Sequence, residues 1–406
     1  MLTKQSEQLV SFFMKNRCFN HNSQTKKTQM ILKKILLEIK NGFDIIHEQK
    51  IQLGYELFYN LNISKEIPKP KTFETFHFPE SAMKSINQTS STLLTYNFSF
   101  IQRKIKICFS VPEKDPKIDM YNRFVENMLV WLLFIDKFAS KKCSPELTIY
   151  VYHTSLKKML PTTTNHILSE EHVNTAFTRT CPVTSEIIVF RKEEWFKVFM
   201  HETFHNFGLD FSDMNTSHCD AKILNIFKVN SNANFFESYT EFWARIINCL
   251  FCAYHSVSQK THIEHMLSNV ETFINLEIGY SFFQTVKVLQ FMGLNYSNLY
   301  KNQENLERYK EKTSVLAYYV VTLILMNHYQ DFISWCSENN SSLLQFKKTL
   351  KNQDLFCKFI ENKYKSKTML HGIDCGENLT RRLKKTSKLQ LYLLNNLRMT
   401  SLECDL

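Results

Sequence analysis

The sequence predicts an α+β chain: a small mixed sheet with an edge strand, set above a mostly helical C-terminal half. Two patterns predict it. Short alternating apolar runs lie between positions 94 and 190, and from about 192 to 365 apolar residues recur at helical spacing. With 44% hydrophobic and 14% aromatic residues in 406, the chain is long and apolar enough to bury a large core.

The first 60 residues read as helical, with 30–39 the clearest amphipathic piece, and the Pro-containing stretch 67–71 breaks the pattern. Runs 94–101 and 105–111 alternate around Gln102 and Arg103 as a hairpin. An apolar helix follows over 120–138, then a strand at 148–152 and a Thr-rich loop after Pro161. Residues 173–178 and 187–190 read as two more strands. Helices are expected at 192–207, 236–255, 261–275, 280–292, 311–329 and 341–362, with a basic amphipathic helix over 379–394. Three regions result: an N-terminal helical region 1–70, a core 71–250 and a helical C-terminal subdomain 251–406.

Composition removes several function classes. Only 7 glycines occur, against roughly 28 at average usage, and their spacing supports neither a dinucleotide fingerprint, a phosphate-binding loop nor a nucleophile elbow. The net charge of +11 comes from short basic clusters with no nucleic-acid-binding motif, which leaves nucleic acid an open question and favours a solvated basic surface. The 11 cysteines are scattered, and Cys249-Leu-Phe-Cys252 has no second pair to complete a zinc site. Free buried thiols in a reducing, intracellular compartment are the expectation. No apolar run reaches membrane-spanning length, and the first residues carry no secretory h-region, so no membrane partner is expected.

Chemistry concentrates at His201-Glu202-Thr203-Phe204-His205. Histidines at i and i+4 share one helix face, about 40° apart around the axis. Both imidazoles can then reach one Zn2+, with Glu202 beside them to take a proton from water. A third ligand is offered by Glu237 in Glu237-Ser-Tyr-Thr-Glu241, which opens the next amphipathic helix. Glu241, on the same face, can accept the second N–H of a ligating histidine and fix its tautomer. Upstream, Asn174 and Ala176 fall on a strand candidate whose free edge could pair with an extended peptide.

On these residues, the stretch from about 147 to 250 resembles the zinc-binding core of gluzincin metallopeptidases, the thermolysin and neprilysin group, in which H-E-x-x-H precedes a helix bearing E-x-x-x-D. The resemblance implies a zincin-like fold and a zinc-dependent peptidase acting on a peptide or protein substrate. It makes His201, His205 and Glu237 the metal ligands, Glu202 the general base, and Asn174 and Ala176 substrate-backbone binders. Glu241 departs from the pattern, standing where the family commonly has Asp. The core is also similar to uncharacterised proteins of large nucleocytoplasmic DNA viruses, which implies host cytoplasm and virion components as setting and partners.

Two rivals are weighed against this reading. His205-Asn-Phe-Gly208 begins like the longer metzincin motif, but Phe211 occupies the third-ligand position, and Gly208 is better explained as a helix C-cap. A virion-associated structural or nucleic-acid-binding protein with a non-catalytic zinc site is the functional alternative; such sites normally present four protein ligands. In the helical half, Tyr318 and Tyr319 are the candidates to stabilise an oxyanion, one facing a cleft and the other the core. Glu277 to Tyr280 reads as a turn, and Lys287 as helix surface.

Overall fold

The computed structural model describes residues 2–16, 19, 23–74, 77–301, 307–383 and 387–406. The chain is α+β. Among the described residues one open, mixed sheet contains strands β1 (Leu61–Ser64), β2 (Thr92–Phe100), β3 (Arg103–Val111), β4 (Glu146–Tyr152), β5 (Ala176–Thr178) and β6 (Thr184–Val189) in the order β1-β2-β3-β4-β6-β5. The three central strands β3, β4 and β6 run parallel, while β1, β2 and β5 are antiparallel to their neighbours.

Local chemistry explains the connections. β2 and β3 pair from Phe100 opposite Arg103, so Ile101 and Gln102 form a two-residue turn with positive φ of 51° and 60°. That backbone twist matches the strands it joins. The parallel step from β3 to β4 needs a crossover, which the apolar helix Ile118–Ile135 supplies.

Strand alternation sorts side chains between two cores. Leu147, Ile149 and Val151 of β4, with Ile187 and Val189 of β6, enter the large core shared with helices Lys26–Leu53, Ile118–Ile135, Trp195–Asn206 and Phe236–Ser256. Tyr150, Tyr152 and Ile188 turn to the opposite face, under helix Glu80–Thr89 with Phe73, Phe78 and Ile86.

Several expectations are corrected. β1 lies inside the 1–70 region and pairs with β2, so that region is not wholly helical. Residues 261–292 do not break at Gly279: Ile263–Phe291 is one helix, and the missing side chain of Gly279 admits the Phe19 ring, which would stand 2.8 Å from an added Cβ. Glu277 is buried in that helix against Arg245, and the ammonium of Lys287, also buried, donates to the Leu393 carbonyl at 2.7 Å. The 379–394 helix is divided between Lys367–Arg382 and Lys388–Asn395, with 384–386 outside the described residues. Cys143 and Cys181 form a disulfide, because their two loops meet behind the end of helix Trp195–Asn206; the eight other described cysteines are outside it.

After Asn395 the chain turns inward and threads between the helices. Leu397, Arg398, Thr400 and Leu402 are fully buried, and Met399 is 5% exposed. The backbone N–H groups of Met399 and Thr400 donate to Glu194 Oε1, while Glu277 Oε1 takes Ser401 N–H.

Candidate metal centre

Helix Trp195–Asn206, called here the motif helix, is buried along its whole length. It ends in a Schellman turn: Gly208 adopts φ 65°, its N–H donates to His205 C=O, and Leu209 N–H reaches back to Phe204 C=O. Gly208 thus has the C-cap role the sequence predicts. The Trp131 indole N–H, on the crossover helix, bonds to Thr203 Oγ at 2.7 Å and holds the helix against the core.

The two histidines of the motif helix meet the first turn of helix Phe236–Ser256. His201 Nε2 lies 3.0 Å and His205 Nε2 3.3 Å from the same Glu237 oxygen, Oε2, and the two Nε2 atoms are 3.2 Å apart. Among the described residues this trio is the group of side chains placed to share one metal ion. Each histidine is held from behind through Nδ1. His201 Nδ1 bonds to Glu241 Oε2 at 3.1 Å, and His205 Nδ1 bonds to Asp210 Oδ2. With Nδ1–H donated to a carboxylate, each ring can turn an Nε2 lone pair to a metal ion shared with Glu237. Two imidazoles and one carboxylate, oriented in this way, match the donor set of a catalytic zinc.

Electrostatics follow from burial and proximity. Burial works against a charged histidine, but Glu237 and Glu241 at His201 outweigh it and raise its pKa. Asp210 and Glu237 do the same more strongly at His205. Glu237 experiences the reverse: burial would raise it, yet both histidines hold it well below the usual carboxylate range. Glu202, 7% exposed, is raised, chiefly by burial.

Beside Glu202 a cavity of about 20 Å³ is lined by Val198, Ala176, Tyr318 and Met399 among others. Ala176 sits opposite Val189 on the edge strand. Since Phe190 N–H bonds to Thr175 C=O, Ala176 is a non-hydrogen-bonded position, and its own N–H and C=O point to the free edge. Thr175 Oγ, in the cavity wall, is buried without a hydrogen-bond partner among the described residues.

Asn174 does not share this freedom. The expected strand 173–178 starts only at Ala176, and residues 170–173 form a helical turn. Asn174 N–H bonds to Glu170 C=O, its C=O accepts from Arg191 Nε, and its side-chain oxygen accepts from the Thr313 hydroxyl. These bonds tie its backbone and side-chain oxygen to the fold, while Asn174 still lines the cavity beside Ala176.

The two tyrosines separate. Both lie in the π-helical turn Leu316–Val321, a feature that re-aims side chains and recurs at functional sites. Tyr318 faces the centre, its ring centroid 6.1 Å from that of His201. Burial, then the Glu237 and Glu202 carboxylates, keep its phenol protonated far into the alkaline range. Tyr319 points away, donating its hydroxyl to Leu397 C=O at 2.6 Å, and is withdrawn as a site residue.

Three residues at the site escape the sequence reading. Asp210, next to the Phe211 that fills the longer motif's third-ligand position, orients His205. Lys197 carries a readable signal, since 197, 201 and 205 follow one another at i+4, and it pairs with Glu241. Met399 carries none, being brought in by the C-terminal segment. No family model, characterised protein or solved structure matches this chain.

Proposed function

We propose that the protein is a zinc-dependent peptidase with a zincin-like core of the gluzincin kind. The observation that carries this reading is the convergence of His201 Nε2, His205 Nε2 and Glu237 Oε2 beside Glu202, at the foot of a free edge strand. Zinc, when bound, supplies Lewis-acid polarisation of a carbonyl and makes water a better nucleophile at neutral pH.

The chain's own residues supply the rest. Glu202, raised by burial, is a stronger base than an exposed carboxylate; it takes a proton from the attacking water and returns it to the leaving amine. Ala176 offers one N–H and one C=O to an extended peptide, fixing the scissile bond along the strand edge. Tyr318, protonated at all working pH values, donates to the oxygen on which negative charge develops. Asp210 and Glu241 keep both histidines in the tautomer that binds metal.

Glu202→Gln supplies the test, because it preserves shape and removes the base. The variant should retain zinc and lose peptide-library cleavage by at least about a hundredfold, the lower end for general-base catalysis. Cleavage at the wild-type rate would sink the reading. A second reading, a structural protein with a non-catalytic metal, is favoured by one observation: the cavity beside Glu202 holds about 20 Å³, room for a group no larger than a water or a methyl. Under that reading neither wild type nor variant cleaves, and a hydroxamate fails to bind the zinc-loaded protein.

A further inference from the structure

The two carboxylates behind the histidines are held in different ways. Asp210 is fixed by neutral donors, accepting from the Ser212 hydroxyl at 2.8 Å and the Thr240 hydroxyl at 3.3 Å as well as from His205. Among the described residues Glu241 has no such frame. Besides His201, its hydrogen-bond partner is the ammonium of Lys197, 2.8 Å from Oε1 and 3.0 Å from Oε2. Both side chains are nearly sealed, at 2% and 1% exposure.

Among the described residues, both hydrogen bonds of this ammonium go to the one carboxylate. The other buried cations nearby are spent elsewhere: Arg245 is bound to Glu277 at 2.7 Å and Lys158 to Glu194 at 2.9 Å. Glu241 also has one more rotatable bond than the Asp of the resembled pattern, and that torsion must be fixed if Oε2 is to meet His201 Nδ1. Gripping both oxygens fixes it. The pairing also offsets charge, since Glu202, Glu237, Asp210 and Glu241 crowd four carboxylates around the candidate metal site.

We propose that Lys197 is a positioning residue of the metal centre: by clamping Glu241 it holds His201 with Nδ1–H donated backward and the Nε2 lone pair turned to the ion. The inference rests on His201, His205 and Glu237 being the ligand set. It makes position 197 the reason a Glu serves at 241, and it separates this pair from an ordinary buried ion pair, whose loss would lower stability without a specific effect on metal.

The experiment measures zinc affinity of the full chain by competition with a chromophoric chelator, in wild type, K197M, K197R, E241A and K197M/E241A. K197M should bind zinc about 10–100-fold more weakly, the usual effect of removing support behind a ligand. K197R should recover most of the loss, and K197M should add nothing in the E241A background. In metal-free, 15N-histidine-labelled protein, the slowly exchanging Nδ1 proton of His201 should disappear in K197M.

Zinc affinity in K197M equal to wild type overturns the proposal. So does the same fold-loss with and without Glu241, which would mean that Lys197 acts through general stability. If K197M fails to fold, the comparison of K197R with wild type and the His201 proton in E241A decide it: an unchanged proton in E241A overturns the clamp. A wild-type chain that takes up no zinc overturns the ligand set itself, a result the histidine proton signal of the metal-free protein keeps distinct.

Discussion

The Nε2 atoms of His201 and His205 stand 3.2 Å apart, and both face one oxygen of Glu237. Without metal, such a cluster is held together by protons. Burial opposes them, but the surrounding carboxylates raise both histidines above their ordinary pKa, His205 most strongly. Zinc must displace those protons. Titration of zinc into protein at pH 7, in two buffers of different ionisation enthalpy, should therefore show net proton release, and affinity should fall as the pH drops from 8 to 6. The metal-free protein behaves oppositely. A raised histidine contributes stability that is complete below its unfolded pKa of about 6.5 and is lost as pH rises through its folded value. Zinc-loaded protein should thus gain on metal-free protein with rising pH; equal pH profiles for the two forms would contradict the arrangement.

Adjacent tyrosines with different partners give a paired prediction. Tyr318→Phe removes the phenol facing His201 and should lower kcat about 10- to 1000-fold with KM little changed, the signature of a donor used only in the transition state. Tyr319→Phe leaves Leu397 C=O without its partner and should cost about 1–3 kcal/mol of stability with normal kcat. Steady-state kinetics and urea denaturation of both variants check this. Exchange of the two phenotypes would place the wrong residue at the site.

What the sequence made legible here is what helix geometry makes local. His201 with His205, and Glu237 with Glu241, are i,i+4 pairs, so each shares a face before any tertiary contact forms. The meeting of the two helices was beyond a spacing argument, yet the chemistry demanded a third ligand and Glu237 met it. Residues set by tertiary closure escaped. Asp210 lies past the Schellman turn, where direction depends on one positive φ at Gly208. Asn174 was assigned a free edge because its competition with Arg191 and Thr313 is invisible in one dimension. Gly279 was read as a turn, although a glycine also serves where a ring must lie against a helix, as Phe19 does there. The order of strands, with β6 between β4 and β5, leaves no local trace at all.

If the protein is the peptidase proposed, Met399 bears on substrate choice. It walls the cavity beside Glu202, and its backbone is anchored by Glu194, so the wall is rigid. With about 20 Å³ available, the side chain entering there should be glycine or alanine. Met399→Ala should extend cleavage to larger residues at that one position, at a cost of about 2–5 kcal/mol for truncating a buried side chain. Mass-spectrometric profiling of peptide-library products reads both preferences. A wild type indifferent to size, or an alanine variant with unchanged selectivity, would show that another wall sets the limit.

Glu194 links the start of the motif helix to the C-terminal segment, accepting from the N–H groups of Met399 and Thr400 and pairing with Lys158 at 2.9 Å. Burial pushes its pKa up, but Lys158, Lys197 and Arg398 outweigh this and bring it from 4.5 down to about 2. A depressed carboxylate contributes stability that is complete above its unfolded pKa and disappears as pH falls through the folded one. The window here runs from about pH 4.5 down to about 2, and the contribution is on the order of 3 kcal/mol. Glu194→Gln lacks this titration. Its deficit in unfolding free energy relative to wild type should be largest at pH 6–7 and should shrink steadily as the buffer is taken from pH 4.5 to 2.5. Urea unfolding at four pH values measures the gap. A gap that stays constant down to pH 2.5 would mean that Glu194 holds the C-terminal segment by hydrogen bonding alone, with no contribution from its charge.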